Sequence, residues 1–397
     1  MVMATTAASR LAGVIKPVIP QVAALMQRRP DCLSLAQGMV DWGPPAAVGA
    51  AVRAALEHQP PAALDRYGPL AGDPAFLEVI RQELGVGRGL DLDGSALLVT
   101  AGSNMAFNAI AQVLIDPGDE LLLPVPWYFN HAMAVQLAGG RPVPVAAGLI
   151  PDPDRLAAAI GPRCRGIVTT SPNNPSGVVI PAPVLDAINR LCAERGLVHI
   201  HDEAYAEFVH GPEPHRSPGR LSGSAGHTIT LSSLSKAYGM AGWRLGYMAV
   251  PEALLPALVK VQDTVLICPP LLNQQAGLAA LEAGPTWCAP RIERLGDRRR
   301  QLLKALGQAR EAEVPIRLLA EPDGAFYALL EFTTDLPSWT LIERLVLEHG
   351  VALLPGECFA LPTGPGRVGM RLSYGMLGDV ELDRALGRLI TGLKALG

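Results

Sequence analysis

Ser233-Leu234-Ser235-Lys236-Ala237-Tyr238-Gly239-Met240-Ala241-Gly242-Trp243-Arg244-Leu245-Gly246 follows a β-branched run and sets a lysine among hydroxyls, glycines and an arginine. An amine in such a loop can form a Schiff base with an aldehyde. The hydroxyls of Ser233 and Ser235 and the guanidinium of Arg244 suit a phosphate. Aldehyde and phosphate together describe pyridoxal phosphate. Taken alone, the stretch equally fits an exposed loop with an ordinary lysine.

Two neighbouring stretches favour the first reading. His201-Asp202-Glu203-Ala204-Tyr205 closes the preceding strand pattern. A carboxylate facing a pyridine nitrogen keeps it protonated, which makes the ring an electron sink. Tyr205, three residues on, suits the ring's phenolic oxygen. Ser171-Pro172-Asn173-Asn174-Pro175-Ser176-Gly177 also follows a strand, and by itself is a turn signal.

Further out, short apolar runs alternate with helical patterns. The spacing predicts strands near 96–100, 120–125, 142–146, 165–170, 197–202, 227–232 and 245–250. Helical patterns lie between most of them, as in 104–115 and 183–195. This is an α/β pattern, a mostly parallel seven-stranded sheet covered on both faces, with ligand loops at the carboxyl ends of its strands. After about residue 285 the pattern changes to a long helix (291–310), a β-rich stretch (316–332), a helix, a second β region ending at 368–373, and a last helix. The chain therefore divides into 1–40, an arm packing with the smaller domain; 41–285, the large domain; and 286–397, a smaller α+β domain.

Composition narrows the class. The chain has 397 residues, 49% of them hydrophobic and 18% charged, which excludes disorder as its main state. Its net charge is −4, with 33 basic against 37 acidic residues, so nucleic acid is not an expected partner. Six scattered cysteines without a C-x-x-C pair read as reduced thiols of a cytoplasmic protein. The apolar run 11–15 is too short for a signal peptide. Two uncharged stretches, 94–115 and 121–140, have the length of a membrane span, but their prolines, asparagines and glutamines fit a buried α/β core better.

In order and spacing these landmarks resemble the class I and II aminotransferases, pyridoxal phosphate enzymes of fold type I. The resemblance runs from Leu35-Ala36-Gln37-Gly38 to Arg371-Leu372-Ser373. It implies that Lys236 bonds the cofactor aldehyde and carries the proton between substrate Cα and cofactor C4′. It implies that Asp202 pairs with the pyridinium nitrogen, that Tyr205 and Asn174 hold the ring oxygen, and that Asn174 also reaches the substrate carboxylate. Ser233, Ser235 and Arg244 take the phosphate, together with the loop Thr100-Ala101-Gly102-Ser103-Asn104, where free N–H groups at a helix start attract an anion. Tyr128 is placed to stack on the ring, with Trp127 its nearest rival. Tyr67 is similar to the tyrosine that crosses from a neighbouring subunit to the phosphate, which implies a homodimer with shared sites. Arg371 is implied to grip the substrate α-carboxylate, and Gly38 lies on a segment that closes over the substrate.

The implied reaction is a ping-pong transfer. An amino acid displaces Lys236 from the cofactor, its 2-oxo acid leaves, and a second oxo acid takes up the amino group. Lyases, cyclases and oxidases share the scaffold, and products separate them from transaminases. Asn104 stands where some dicarboxylate-specific relatives carry a lysine, so a neutral or aromatic donor is favoured; Asp263 leaves a basic donor open if it faces the pocket. Other motifs are set aside. His199-x-His201 with Glu203 has donor types for a metal, but Asp202 and Tyr205 are better explained by the cofactor, so no metal is expected. Ser233-x-x-Lys236 lacks the companion motifs of β-lactamases. Gly85-Val86-Gly87-Arg88-Gly89 reads as a helix end. Arg298-Arg299-Arg300 is expected on a solvated helix face.

Overall fold

The computed structural model describes residues 7–58, 60 and 63–397. The strand patterns above form one sheet, in the order Ser95–Thr100, Gly246–Pro251, Thr228–Ser233, Val198–Asp202, Cys164–Thr170, Glu120–Pro124 and Arg141–Val145. Gly246–Pro251 runs antiparallel to both neighbours, and the other pairings are parallel. Helices cover both faces, so successive side chains such as Leu121, Leu122 and Leu123 are all buried. Each such side chain contributes roughly 1.5–3 kcal/mol by leaving water.

This topology explains why the chemistry gathers at one edge. Thr100, Thr170, Asp202 and Ser233 end strands that point the same way. The antiparallel strand begins where they finish, with Gly246 opposite both Thr100 and Ser233. Arg244, just before it, therefore arrives at the same edge as Lys236.

The uncharged stretches are strand–helix pairs of this core. One holds Ser95–Thr100 and the helix Ser103–Leu114, whose buried face is Ala106, Phe107, Ala109, Ile110, Ala111 and Leu114. The other holds most of Glu120–Pro124 and the helix Phe129–Leu137. Among the described residues no helix is long and apolar enough to cross a membrane.

A second, antiparallel sheet has the order Leu354–Pro355, Arg367–Ser373, Tyr327–Thr333 and Ile316–Leu318. The helices Ser338–His349 and Asp379–Leu396 pack together beside it. Leu33–Ser34 pairs in parallel with Val351–Ala352, so the N-terminal segment joins this part of the molecule. The helical run Leu271–Glu311 is broken at Gly284, whose φ of 67° and ψ of −175° leave helical geometry.

The arginine run departs from the sequence expectation. Arg298 is 3% exposed, donating to Asp41 Oδ2 at 2.5 Å and Asp379 Oδ1 at 2.8 Å. Arg299 donates to Glu321 and to the Pro322 carbonyl, and Arg300 remains at the surface beside Asp297. Successive helical residues are about 100° apart, so three in a row cannot share one solvated face.

Candidate active site

A cleft at the carboxyl edge of the large sheet is lined by Ser103, Asn104, Tyr128, Asn174, Asp202, Tyr205, Ser233, Ser235, Lys236 and Arg244, together with Thr170 and Ala204. These ten named side chains are spread along the chain from Ser103 to Arg244, and the strand ends bring them together. Tyr128 lines this cleft and also the neighbouring pocket on the Gly148–Pro151 side, whereas Trp127 borders that second pocket and not this cleft.

Glycines permit the close approach at the anionic-group end. Gly102 has φ of 87°, and a Cβ there would lie 2.5 Å from Arg244 Nη2. A Cβ on Gly246 would meet the Ser103 amide nitrogen at 2.7 Å. The start of the Ser103–Leu114 helix, the Arg244 guanidinium and the Ser233 and Ser235 hydroxyls thus form a donor-rich corner. Arg244 itself has φ of 51°, a left-handed conformation, and donates to the Ala241 carbonyl at 2.9 Å.

The floor is Asp202. Its Oδ1 accepts from the Ala204 amide at 3.0 Å, and its Oδ2 lies 3.0 Å from His131 Nε2. His131 stacks on Phe107 with ring centroids 4.2 Å apart and meets Tyr128 edge-on. Sequence reading missed His131, although it is the sole histidine of its uncharged stretch and sits one turn after Tyr128.

Lys236 Nζ donates to the Gly38 carbonyl at 2.6 Å. Burial, reinforced by Arg371 and Arg244 and opposed by Asp202, pushes its pKa down to about 8. A Cβ on Gly38 would collide with the Tyr327 hydroxyl, so only glycine lets the N-terminal segment pass here.

Arg371 lies on the smaller sheet yet reaches the same place. It is 2% exposed, and its Nη1 donates to Asn174 Oδ1 at 3.0 Å. Its Nη2 donates to the Ala36 carbonyl, while Nε has no partner. Asn174 Nδ2 points to the Tyr205 hydroxyl at 3.4 Å, which lies 2.7 Å from the Tyr327 hydroxyl. Burial, with Tyr327 and Tyr128 nearby, raises the Tyr205 phenol well above its usual value, so it stays a neutral hydroxyl. Tyr327, also absent from the sequence reading, lies under Arg371, whose guanidinium carbon is 4.5 Å from its ring centroid. Nothing in the strand pattern around Tyr327 marks it out.

Two expected residues stay apart from the cleft. Tyr67 is 80% exposed. Asp263 is exposed on the helix Leu255–Val265. Neither lines the cleft.

The donor set suits a phosphorylated pyridine aldehyde. It offers a half-buried amine whose pKa is lowered to about 8, a carboxylate anchored by His131, a ring-sized aromatic face at Tyr128, and a separate corner of hydroxyls and guanidinium. The unpartnered buried Nε of Arg371 calls for a further anion.

Comparison with known proteins agrees with this geometry. A family model described as aminotransferase class I and II matches residues 30–389. The chain is 33% identical to a probable aspartate/prephenate aminotransferase of Thermus aquaticus, over 93% of this chain and 94% of the relative. It is 33% identical to an aromatic aminotransferase of Arabidopsis thaliana, over 98% and 96%. The structure of an aspartate aminotransferase from Thermus thermophilus with maleate superposes with a TM-score of 0.87 at 32% identity, covering 98% of this chain and 100% of that one.

Proposed function

The chain belongs to the aminotransferase class I and II family, and from that premise we propose that it works on pyridoxal phosphate, prefers neutral or aromatic amino acid donors, and acts as a homodimer. It is an aminotransferase. The observation that carries the finer reading is the convergence of Lys236 Nζ and Arg371 on one cleft floored by Asp202.

When bound, the cofactor would hold the substrate nitrogen covalently and draw electrons from the Cα–H bond. The protein's share follows from its own groups. Arg371 and Asn174 grip the α-carboxylate as a planar fork and an amide. Asp202, held by His131 and the Ala204 amide, presents its carboxylate to the ring nitrogen. Tyr205 donates to the ring oxygen. Ser233, Ser235, Arg244 and the Ser103 helix start take the phosphate. Lys236 Nζ, neutral above about pH 8, removes the Cα proton and later returns a proton.

The donor preference is supported by how the cations are used: Lys236 and Arg244 in the cleft lining are committed to the cofactor, and Arg371, bonded to Asn174 beside it, to the α-carboxylate, which leaves no further cation among the described lining residues. Asn104 supplies an uncharged side chain where a second carboxylate would want a cation. The homodimer is supported by Tyr67, which stands clear of its own cleft and is free to serve a neighbour's phosphate. The same reading divides the chain into 1–40, 41–285 and 286–397, in keeping with the break at Gly284 and the pairing of Leu33 with Val351. It places the protein in the cytoplasm, in keeping with six unpaired cysteines.

The test is a single-turnover absorbance measurement on the purified protein, with neutral, aromatic, basic and acidic amino acids mixed separately. Conversion of the cofactor to its amine form with a matching 2-oxo acid, fastest for neutral or aromatic donors, is expected. A clear rate preference for aspartate would overturn the donor assignment. Release of ammonia, thiol or a cyclised product with the cofactor unchanged would move the chemistry to another class.

A further inference from the structure

The strand that carries Asp202 toward the cleft carries His199 and His201 on its other face. His199 is saturated, with Nε2 at 2.8 Å from Thr169 Oγ1 and Nδ1 at 3.1 Å from Asn189 Nδ2. His201 is held on one side alone, its Nδ1 2.6 Å from the same Thr169 hydroxyl. Its Nε2 has no partner and faces Glu203 Oε1 at 3.7 Å, which also has none. From the loop after this strand comes His215, with both ring nitrogens unpartnered and Nε2 at 3.7 Å from Glu203 Oε2. One donor atom from each of His201, Glu203 and His215 lies within 4.8 Å of the other two. The His201 and Glu203 side chains are fully buried, and that of His215 is 5% exposed.

Three residues whose unsatisfied polar atoms converge in a buried spot are exceptional, because each such atom forfeits its bonds to water. The separations are too long for hydrogen bonds and leave room for an ion between them. The local charge asks for a cation as well. Arg88 is shared by Glu83, Glu203 and Glu207, at 2.6, 3.2 and 2.8 Å, so among the described residues three carboxylates pair with one guanidinium. There is also an entry path, since Glu203 and His215 border a solvent-open cavity of about 580 Å³.

We propose that His201, Glu203 and His215 bind a transition-metal dication of the Zn²⁺ class, with water from the cavity completing its coordination. Two imidazoles and a carboxylate with an open fourth position are a donor set this ion favours. Thr169 fixes the His201 ring so that Nε2 faces the ion, as an outer-shell partner does. The site differs from the sequence expectation of no metal because His215 is brought in by the fold and His199 is taken up by Thr169 and Asn189. Bound there, the ion ties the loop around His215 to the back of the Asp202 strand, while the catalytic cleft lies on the other face.

The experiment uses the full-length protein, stripped with a chelator, dialysed, and titrated with Zn²⁺ and with Co²⁺. The expected result is one Zn²⁺ retained per chain, a Co²⁺ visible spectrum, and a metal-dependent rise in Tm. His201→Gln and His215→Gln are each expected to weaken binding by about 100-fold or more and to abolish that rise, while exposed His58→Gln leaves both unchanged. His215 sits on a loop, so its variant keeps the test open if the His201 variant fails to fold. Sub-stoichiometric Zn²⁺ in the unmodified chain, or equal binding in all variants, overturns the proposal.

Discussion

The two faces of one strand, Val198–Asp202, do opposite things with polar residues. Toward the cleft, Asp202 is held at each oxygen by one partner, His131 or the Ala204 amide, and its neighbours leave room for a ligand. On the other face, His201 and Glu203 meet a crowded network of Arg88, Glu83 and Glu207 around a gap of unpartnered atoms. Burial acts on both faces but with different results. It pushes Lys236 down to about 8, which makes a reactive amine, and pushes His201 down to about 4, which makes a neutral imidazole. The lesson is that a strand's alternation can place reaction chemistry and charge compensation one residue apart.

That contrast predicts that changes on the cleft face alter rate, while changes on the other face alter stability. The largest effect is expected from Lys236→Ala, which removes the group we propose as both covalent anchor and proton carrier. Turnover should fall by about 10⁴-fold or more with the fold intact by circular dichroism. Substantial transamination by this variant would sink the assignment of Lys236.

Arg371→Gln is expected to remove a charge-assisted grip worth about 1.5–3 kcal/mol, which is roughly a 10- to 150-fold loss in kcat/KM. Steady-state kinetics with amino acids and with decarboxylated amines separates this role from a general loss of folding. The amines should be unaffected by the substitution.

On the other face, Arg88→Ala leaves Glu83, Glu203 and Glu207 facing one another without their cation. A loss of about 3 kcal/mol in unfolding free energy is expected, with kcat of the folded fraction unchanged. Urea unfolding monitored alongside initial rates checks this. A fall in kcat without a fall in stability would erase the distinction between the faces.

His131→Phe keeps the stack on Phe107 but deletes the contact to Asp202. A roughly tenfold fall in kcat is expected, equivalent to about 1.4 kcal/mol, with little change in KM. An unaltered kcat would show that the Ala204 amide alone positions the carboxylate.

The smallest effect concerns pH. The Lys236 amine is charged below about 8 and neutral above it, whereas an unperturbed lysine changes near 10.5. On the proposed reading, capture of added pyridoxal phosphate by the cofactor-free protein should therefore accelerate as pH rises through about 8 and then level off. Stopped-flow absorbance across that range tests it, and acceleration continuing toward 10.5 would remove the role of burial.

Much of the site was legible because each residue in question sits beside a strand whose apolar run announces itself. Lys236 follows Thr228–Ser233, Asn174 follows Cys164–Thr170, and Asp202 ends Val198–Asp202. A parallel sheet necessarily gathers such strand ends, so adjacency in sequence was enough to group them. His131 and Tyr327 were not legible, since they lie 71 residues from Asp202 and 122 from Tyr205, the groups they touch. Arg298 read as a surface charge for the same reason, because Asp41 and Asp379 are far away along the chain.

By itself, then, the sequence determined the alternation of strands and helices, the change of texture near residue 285, and the chemical identity of the groups at the strand ends. Those follow from periodicity and residue type, which are local properties. The tertiary structure alone decided which histidine supports Asp202, that Tyr327 closes the network under Arg371, and that His215 rather than His199 joins His201 and Glu203. Those outcomes depend on register and on the packing of distant segments, where a shift of one residue along a strand would turn each side chain to the opposite face.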